Sequence, residues 1–587
     1  LVLGSATALI WAICAFLGRG VSCPSEKCDV FELRRMHLIS GAGAVAVLLT
    51  AYLLYPLATR VRDRMIERWR SWYELAALAL ACAGFGEFIL HFGNRQFGGF
   101  DFSLLIDAGW RLFNGQLPYR DFICTLPPGF ILGVKYGFYL FGVQWNAVLG
   151  MAAAFTCITF LWFYFLLRQL MRTLAAAFLL ALCIECAAML SLSYWWYNNV
   201  TSIIATAFLL SCLAYYRRPE LASVKVSYVV ALTLLGLMKP NIAAPLALAS
   251  ILLLLLAVPV RPRLAALTGV GIIGTLLILA ANGISFAGMI ASYRAAAAAR
   301  GGFSTIGFRD VGIWGKLHAA GFLGSLLIPF IGIVKPSPTG ARQGKSALVG
   351  TRILPFVAPL IGIYAMFSNM ESKEVEWPII FSTGAVLIWG DWISSERSMP
   401  HRWLPRFYAS ILCALVCSGL YLGGVRHRVF GIGIHTFFEW EDANHSIDRP
   451  FFRDLQASRR FQNAVAEAGQ VLSESPGPFY FGPRMEFAYA VFGIQSPLHL
   501  PIWWHPGSSF AIADEGTILE TWQRSRFGTL VYLKDEFPYY SARFRQLIDS
   551  DYIRDNRWPE LSVFHAKRPA ADGAGLPRSS ELGGIRE

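Results

Sequence analysis

Apolar runs long enough to cross a bilayer recur from the start of the chain to about Leu422, and no other feature limits the fold so tightly. A helix needs about 20 predominantly apolar residues to span the roughly 30 Å hydrocarbon core. A soluble fold would have to hide all of these runs in one interior, and single cores stop growing at about 250–300 residues. Of the 587 residues, 55% are hydrophobic and only 15% charged, against a charged share of about 25% in ordinary soluble domains. The sequence therefore predicts an α-helical polytopic membrane protein. Spans are expected at 2–18, 38–57, 73–90, 145–167, 174–190, 198–214, 226–239, 241–258, 264–281, 317–334, 353–369, 377–393 and 406–423, about 13 in all. The opening stretch 1–17 reads as a span and not a signal peptide, because no small-residue cleavage site stands near Gly18-Arg19-Gly20.

The net charge of +13 does not point to nucleic acid, since most basic residues before Leu422 fall in short loops between spans. Such a pattern serves topology and anionic-lipid contact. With a cytoplasmic N-terminus, the loops carrying Arg60 to Arg70, Arg168 and Arg172, Arg217 and Arg218, Arg261 and Arg263, and Lys335 to Arg352 share the inner side. Exceptions are Arg34 and Arg35, and the outer loop with Arg294, Arg300 and Arg309. The agreement requires that the run 130–142 does not cross. It is short and interrupted by Gly133, Lys135 and Gly137, which suits an interfacial or re-entrant helix. Residues 91–144 then lie outside the cytoplasm. The expected organisation is two N-terminal helices and a basic loop in 1–72, a membrane core in 73–423, a small α/β domain on the outer side in 424–570, and a disordered tail in 571–587. Within the α/β domain, 479–481 and 529–533 read as buried strands, and 484–491 and 514–524 as helices.

The acidic, aromatic and proline-rich segment 98–129 is the strongest candidate for chemistry. From Asp101 to Asn114 the periodicity is helical, with Phe102, Leu105, Ile106, Trp110 and Phe113 opposite Ser103, Asp107 and Arg111. That pattern predicts an amphipathic helix at the membrane interface, with Trp110 in the headgroup zone. Asp101 stands where an N-cap is expected. Asp107 and Arg111 are four residues apart, the spacing of a structural ion pair. Pro118-Tyr119-Arg120-Asp121-Phe122 and Pro127-Pro128-Gly129 follow. Prolines stiffen such a loop, and a rigid carboxylate above a membrane suits general-base work. A solvated surface loop is the alternative.

An Asp after the first core span, then one interfacial helix, then PYRDF and PPG, resembles the GT-C superfamily of polyprenyl-phosphate-sugar glycosyltransferases, nearest the family-39-like group that includes protein O-mannosyltransferases and lipid A aminoarabinose transferases. The resemblance covers about 73–423 and rests on order and spacing. It implies a GT-C-like membrane core with interfacial helices in the first outer loop, in a bacterial inner membrane with the C-terminal domain periplasmic. It implies an inverting transfer of sugar from a polyprenyl-phosphate donor to an envelope glycan, lipid or protein acceptor, with membrane lipids as partners and no nucleic acid. Asp101 becomes the candidate base and Asp121 a second acidic residue of the catalytic site, with Tyr119 beside the substrate. Phe102 stands where a Glu often follows the Asp, and no His precedes Pro127-Pro128, which bears on the choice of sugar and acceptor. No nucleotide or hydride is needed, and a role for a divalent metal is left open.

A departing phosphate needs cationic neighbours. Lys239, in Met238-Lys239-Pro240-Asn241 at the outer end of two spans, is the first candidate, and Arg120 a second; a snorkelling lysine is the alternative for Lys239. Tyr194 and Tyr197 either anchor an aromatic belt or stack on sugar. Glu185, within a span near its outer end, is a candidate substrate contact because intramembrane carboxylates are rare. The GxGxxG match at 269–274 lies inside a span and reads as a helix-packing face, not a dinucleotide site. Cys183 and Cys186 sit within a span, and Cys23 and Cys28 could pair on the outer side. Neither a P-loop nor an HExxH motif is present. A transporter or flippase of lipid-linked sugars is the competing class, but it would place charges at the midplane and show related halves. Here the polar residues gather at one face.

Overall fold

The computed structural model describes residues 66–94, 97, 99–171, 177, 178, 181, 185, 197–256, 261–299, 444–507, 509–534 and 540–567. The spans expected at 2–18, 38–57, 317–334, 353–369, 377–393 and 406–423 lie outside the described residues, as do Tyr194, Arg300, Arg309, the paired-cysteine motifs and the tail. Asp101 is placed by its backbone.

Helix α1 (Ile66–Gly93) and α4 (Trp145–Leu170) are 28 and 26 residues long, so each reaches about 40 Å at 1.5 Å per residue. Between them lie α2 (Gly99–Phe113) and α3 (Pro128–Phe141). Then come α5 (Tyr197–Arg217), α6 (Ala222–Leu235), α7 (Pro240–Leu256), α8 (Arg261–Ala281) and α9 (Phe286–Ala299). Among the described residues Trp72–Leu90, Trp145–Leu170 and Pro262–Ala281 are long and apolar enough to cross a membrane, and Ile203–Tyr215, Ala222–Leu235 and Ala243–Leu252 are shorter apolar helices. At 14 residues, α3 extends only about 21 Å, started by Pro127-Pro128 and ended at Gly142 with φ 82°. It is too short to span.

Helix α6 stops earlier than the expected 226–239, because Pro240 cannot continue a helix and instead occupies the first position of α7. The 269–274 glycines do pack helices. Gly271 faces Leu232, Gly274 faces Thr233, and Thr275 Oγ1 donates to the Thr233 carbonyl at 2.9 Å. Helix α9 falls where the sequence predicts a loop; its Ala295–Ala299 run is the best helix-forming composition available.

The C-terminal region is α/β. Strands β3 (Phe479–Phe481), β4 (Thr529–Leu533), β5 (Tyr552–Asp555) and β6 (Leu561–Ala566) form a sheet in the order β3-β4-β6-β5, with β3 and β4 parallel and the other pairs antiparallel. A short pair, β1 (His445–Ser446) with β2 (Gln456–Ala457), precedes it. Both predicted strands match. Of the predicted helices, 514–524 appears as a 3₁₀ turn at Ile512–Asp514 and α12 (Glu515–Arg524), whereas 484–491 holds only the single turn α11 (Ala488–Val491). Strand alternation splits the sheet into two faces. Phe481, Val531, Leu533 and Val563 join α10 (Arg459–Glu474), while Tyr480, Leu530, Tyr532 and Phe564 join α12 and α13 (Ala542–Asp551).

The α10 face is continuous with the core of the membrane helices. Phe97, in the link between α1 and α2, has ring-centroid distances of 5.1 Å to Trp145, 5.3 Å to Phe452 and to Phe461, and 5.0 Å to Phe487. One aromatic ring thus joins the first loop, α4 and the C-terminal domain.

Candidate active site

Helix α2 is buried on both sides. Every residue from Phe102 to Ala108 is under the surface, including Ser103 and Asp107. Its polar stripe meets the C-terminal domain instead of solvent. Ser103 Oγ donates to Glu486 Oε2 at 2.6 Å and accepts from the Phe487 amide at 3.1 Å. Ser496 Oγ donates to Asp107 Oδ1 at 2.5 Å. Arg111 pairs with Asp107 at 2.8 Å, donates to the Pro497 carbonyl at 2.5 Å and lies over the Phe122 ring. Trp110, expected among headgroups, donates to the Ile494 carbonyl at 2.8 Å. The polar face, expected to meet solvent and headgroups, is covered by the C-terminal domain. Amphipathic spacing identifies a polar face but not what covers it.

Burial pushes the Asp107 carboxyl up, against the pull of Arg111 and Ser496. Glu486 is pushed up to about 8 by burial, opposed chiefly by the Ser103 hydrogen bond. Glu486 was not a sequence candidate. Its signal was present, as a lone acid in the otherwise apolar run Phe487–Val491 and Met485.

Asp101 lies in the first turn of α2, two residues inside it and not at its cap. By register its position falls on the stripe of Leu105, Ala108 and Leu112, away from the C-terminal contacts. Gly109 packs on Val134, and Phe113 lies 6.2 Å from Phe138, so α2 and α3 run in the same sense. The first turn of α2 and Pro127-Pro128-Gly129 therefore occupy the same end of the pair.

At that end the PPG turn meets the break between α6 and α7. The Gly129 amide donates to the Leu237 carbonyl at 3.0 Å. A Cβ on Gly129 would stand 2.9 Å from Leu237 Cβ and 3.1 Å from that carbonyl, so only glycine fits. Phe130 makes an edge contact with Tyr197 at 6.0 Å, and Lys239 Nζ lies 5.0 Å from the Tyr197 ring centroid. Lys239 stands directly before the first turn of α7, and its ammonium supplies a cation at this end; the first amides of α3 are already bonded to Leu237 and Pro127.

The other candidates are placed elsewhere. Asp121 closes a tight turn: its amide donates to Leu117 O, and its Oδ2 accepts from Leu117 N, both at 2.8 Å. Arg120 grips both carboxylate oxygens at 2.8 and 2.7 Å and holds the carboxyl below its usual range. This occupies Asp121 structurally and weakens it as a base. Tyr119, with φ 66°, tucks its hydroxyl onto the Leu126 carbonyl at 3.0 Å and faces Tyr293 of α9. The stretch 121–123 pairs with 499–502 of the C-terminal domain, through His499 N to Asp121 O, Ile123 N to Leu500 O and Ile502 N to Ile123 O. Glu185 accepts from Thr159 Oγ1 at 2.9 Å. Thr159 is 14 residues into α4, roughly 21 Å below its start, so Glu185 lies deep in the bundle and apart from the loop. Among the described residues no three His, Cys, Asp or Glu side chains converge as a metal site requires.

No family model matches the chain, and no curated protein matches it. Solved structures do. The crystal structure of ArnT from Cupriavidus metallidurans in the apo state is 13% identical, covering 85% of this chain and 98% of that one, with a TM-score of 0.47. The same protein bound to undecaprenyl phosphate gives 12% identity, the same coverage and a TM-score of 0.45. The Archaeoglobus fulgidus oligosaccharyltransferase in complex with Zn and sulfate is 15% identical over 75% of this chain and 65% of that chain, with a TM-score of 0.30. The likeness is one of layout.

Proposed function

We propose that the chain is an inverting glycosyltransferase that moves a sugar from a polyprenyl-phosphate donor to a cell-envelope acceptor on the periplasmic face of a bacterial inner membrane. The observation that carries the reading is the meeting of PPG, Tyr197 and Lys239 at the end of the α2–α3 pair that bears Asp101. Asp101 takes the proton of the acceptor hydroxyl or amine as it attacks the anomeric carbon. The bond from the anomeric carbon to the phosphate oxygen breaks, and polyprenyl phosphate leaves with its new charge toward Lys239. Tyr197 offers an aromatic face to the sugar while its ring steadies the ammonium. Asp121 and Arg120 hold the loop in shape and Tyr119 anchors it, a division of labour that leaves Asp101 as the reacting carboxylate. The N-terminus is cytoplasmic, and the domain formed after residue 424 is periplasmic.

Asp101→Asn is expected to reach the membrane at wild-type level and to abolish transfer of radiolabelled sugar from polyprenyl phosphate to acceptor. Full transfer by this variant would remove Asp101 from the mechanism. Movement of intact labelled lipid between leaflets, with no new covalent partner, would favour transport instead.

A further inference from the structure

Helix α3 carries a cation where it meets the end of α8. Lys135 Nζ donates to Asn282 Oδ1 at 3.0 Å, and the Tyr136 hydroxyl donates to the same oxygen at 2.9 Å. The ammonium also lies 5.5 Å from the Tyr136 ring centroid. Asn282 is itself fixed, its Nδ2 donating to the Ile278 carbonyl at 3.0 Å. Two donors from α3 therefore converge on one point just beyond the end of α8, a helix long and apolar enough to span. Among the described residues no carboxylate pairs with Lys135. Two of its three N–H bonds are left for another acceptor.

Among the described residues, large side chains on α3 and at the start of α9 stand exposed. Tyr136 is 45% exposed, Tyr139 58%, Leu140 70% and Phe286 48%. Among the described residues nothing covers this surface, and an exposed aromatic and aliphatic face on a helix that follows a segment long enough to span suits acyl chains. Tyrosines and a lysine beside the end of an apolar helix are typical of the interfacial zone. An ammonium there without a counter-charge is costly unless it reaches an anion. The anion common to that zone is the lipid phosphate.

We propose that Lys135, Tyr136 and Asn282 bind the phosphodiester of a bilayer phospholipid, with its acyl chains along Tyr139, Leu140 and Phe286. The site is separate from the Lys239 cluster at the N-terminal end of α3, and it does not depend on the glycosyl-transfer reading. Because Gly283 next to Asn282 abuts Leu117 of the first loop, the bound lipid braces the α8–α9 turn against that loop.

The test uses the full chain in maltoside micelles, with native mass spectrometry after adding phosphatidylglycerol or a chain-matched diacylglycerol. Wild type is expected to retain phosphatidylglycerol and not diacylglycerol. Lys135→Gln should lower retention about tenfold, the scale of one charge-assisted hydrogen bond, and Lys135→Arg should restore it. Asn282→Asp, which offers the ammonium a carboxylate of its own, should lose the lipid as well, and it provides a second variant if Lys135→Gln does not fold. Equal retention by Lys135→Gln and wild type would overturn the site, as would diacylglycerol binding as well as phosphatidylglycerol, the mark of a lysine that merely snorkels. Displacement of the phospholipid by polyprenyl phosphate, with lost sugar transfer in Lys135→Gln, would assign the site to the donor and overturn the phospholipid reading.

Discussion

Glu486 stays mostly protonated at neutral pH, and this has a measurable consequence for stability. Its folded value of about 8 lies above the ordinary 4.5 of a glutamate. Between those values the folded chain binds a proton that the unfolded chain has released. Stability from this group is thus fully present below about 4.5 and is lost as pH rises through about 8. Glu486→Gln removes the titration while keeping a donor and acceptor for Ser103. The melting temperature of the wild type should fall by several degrees more than that of Glu486→Gln between pH 5 and pH 9. Asp107 is shifted in the same direction and interacts with Glu486, so the same comparison on an Asp107→Asn background isolates Glu486. Parallel curves would show that the carboxyl is not buried as described. Lys239 makes a different claim, on activity. Lys239→Gln should lower sugar transfer by about 10²-fold, the loss typical of a donor aimed at developing charge, with Lys239→Arg partly active and both variants folded. A snorkelling role would leave transfer unchanged in Lys239→Gln.

At the scale of elements, the joint between α3 and the α6–α7 break rests on the missing side chain of Gly129. Gly129→Ala must push Leu237 and its carbonyl aside, which costs about 1–3 kcal/mol for overpacking at a backbone contact. A lower melting temperature together with reduced transfer is expected. Gly115→Ala offers a contrast, since no atom lies within 4 Å of its added Cβ and only its φ of 82° opposes the change. How much of this was readable in the sequence depends on how local the cause is. Strands β3 and β4 end where their apolar runs end, so 479–481 and 529–533 could be placed directly. The break at Pro240 and the ion pair of Asp107 with Arg111 are equally local. Helix α9 was missed because its Ala-rich run has high propensity but no pattern of alternating polar and apolar faces. The cover on the polar stripe of α2 could not be read at all. Ser103 meets Glu486 across 383 positions, and Asp107 meets Ser496 across 389. The depth of Glu185 was misjudged for a similar reason: its partner Thr159 belongs to another helix.

For the molecule as a whole, the boundary near residue 424 divides composition but not the core. A separate outer domain would present Phe461 of α10, Phe452 and Phe487 as surface, yet these side chains are buried against Phe97, which in turn packs on Trp145. Backbone pairing between 121–123 and 499–502 adds a second seam, and the Ser103, Asp107, Arg111 and Gln116 bonds a third. The arrangement makes the C-terminal domain a wall of the loop that carries Asp101, so disturbing either should loosen the other. Phe97 is the sharpest place to test this, because it lies in neither domain's secondary structure. Phe97→Ala removes a ring touching four others, and truncations of this kind cost about 3–5 kcal/mol. In the full chain, Phe97→Ala should make 444–567 more sensitive to limited proteolysis and raise amide exchange across Leu104–Ala108 of α2. Ile553→Ala, on an exposed strand position far from the seam, should do neither. If the domain were only tethered, Phe97→Ala would change exchange near α1 and α4 and leave the proteolysis of 444–567 as in the wild type. Increased cleavage there, with α2 loosened in step, would mean that the two parts hold the loop together as one body.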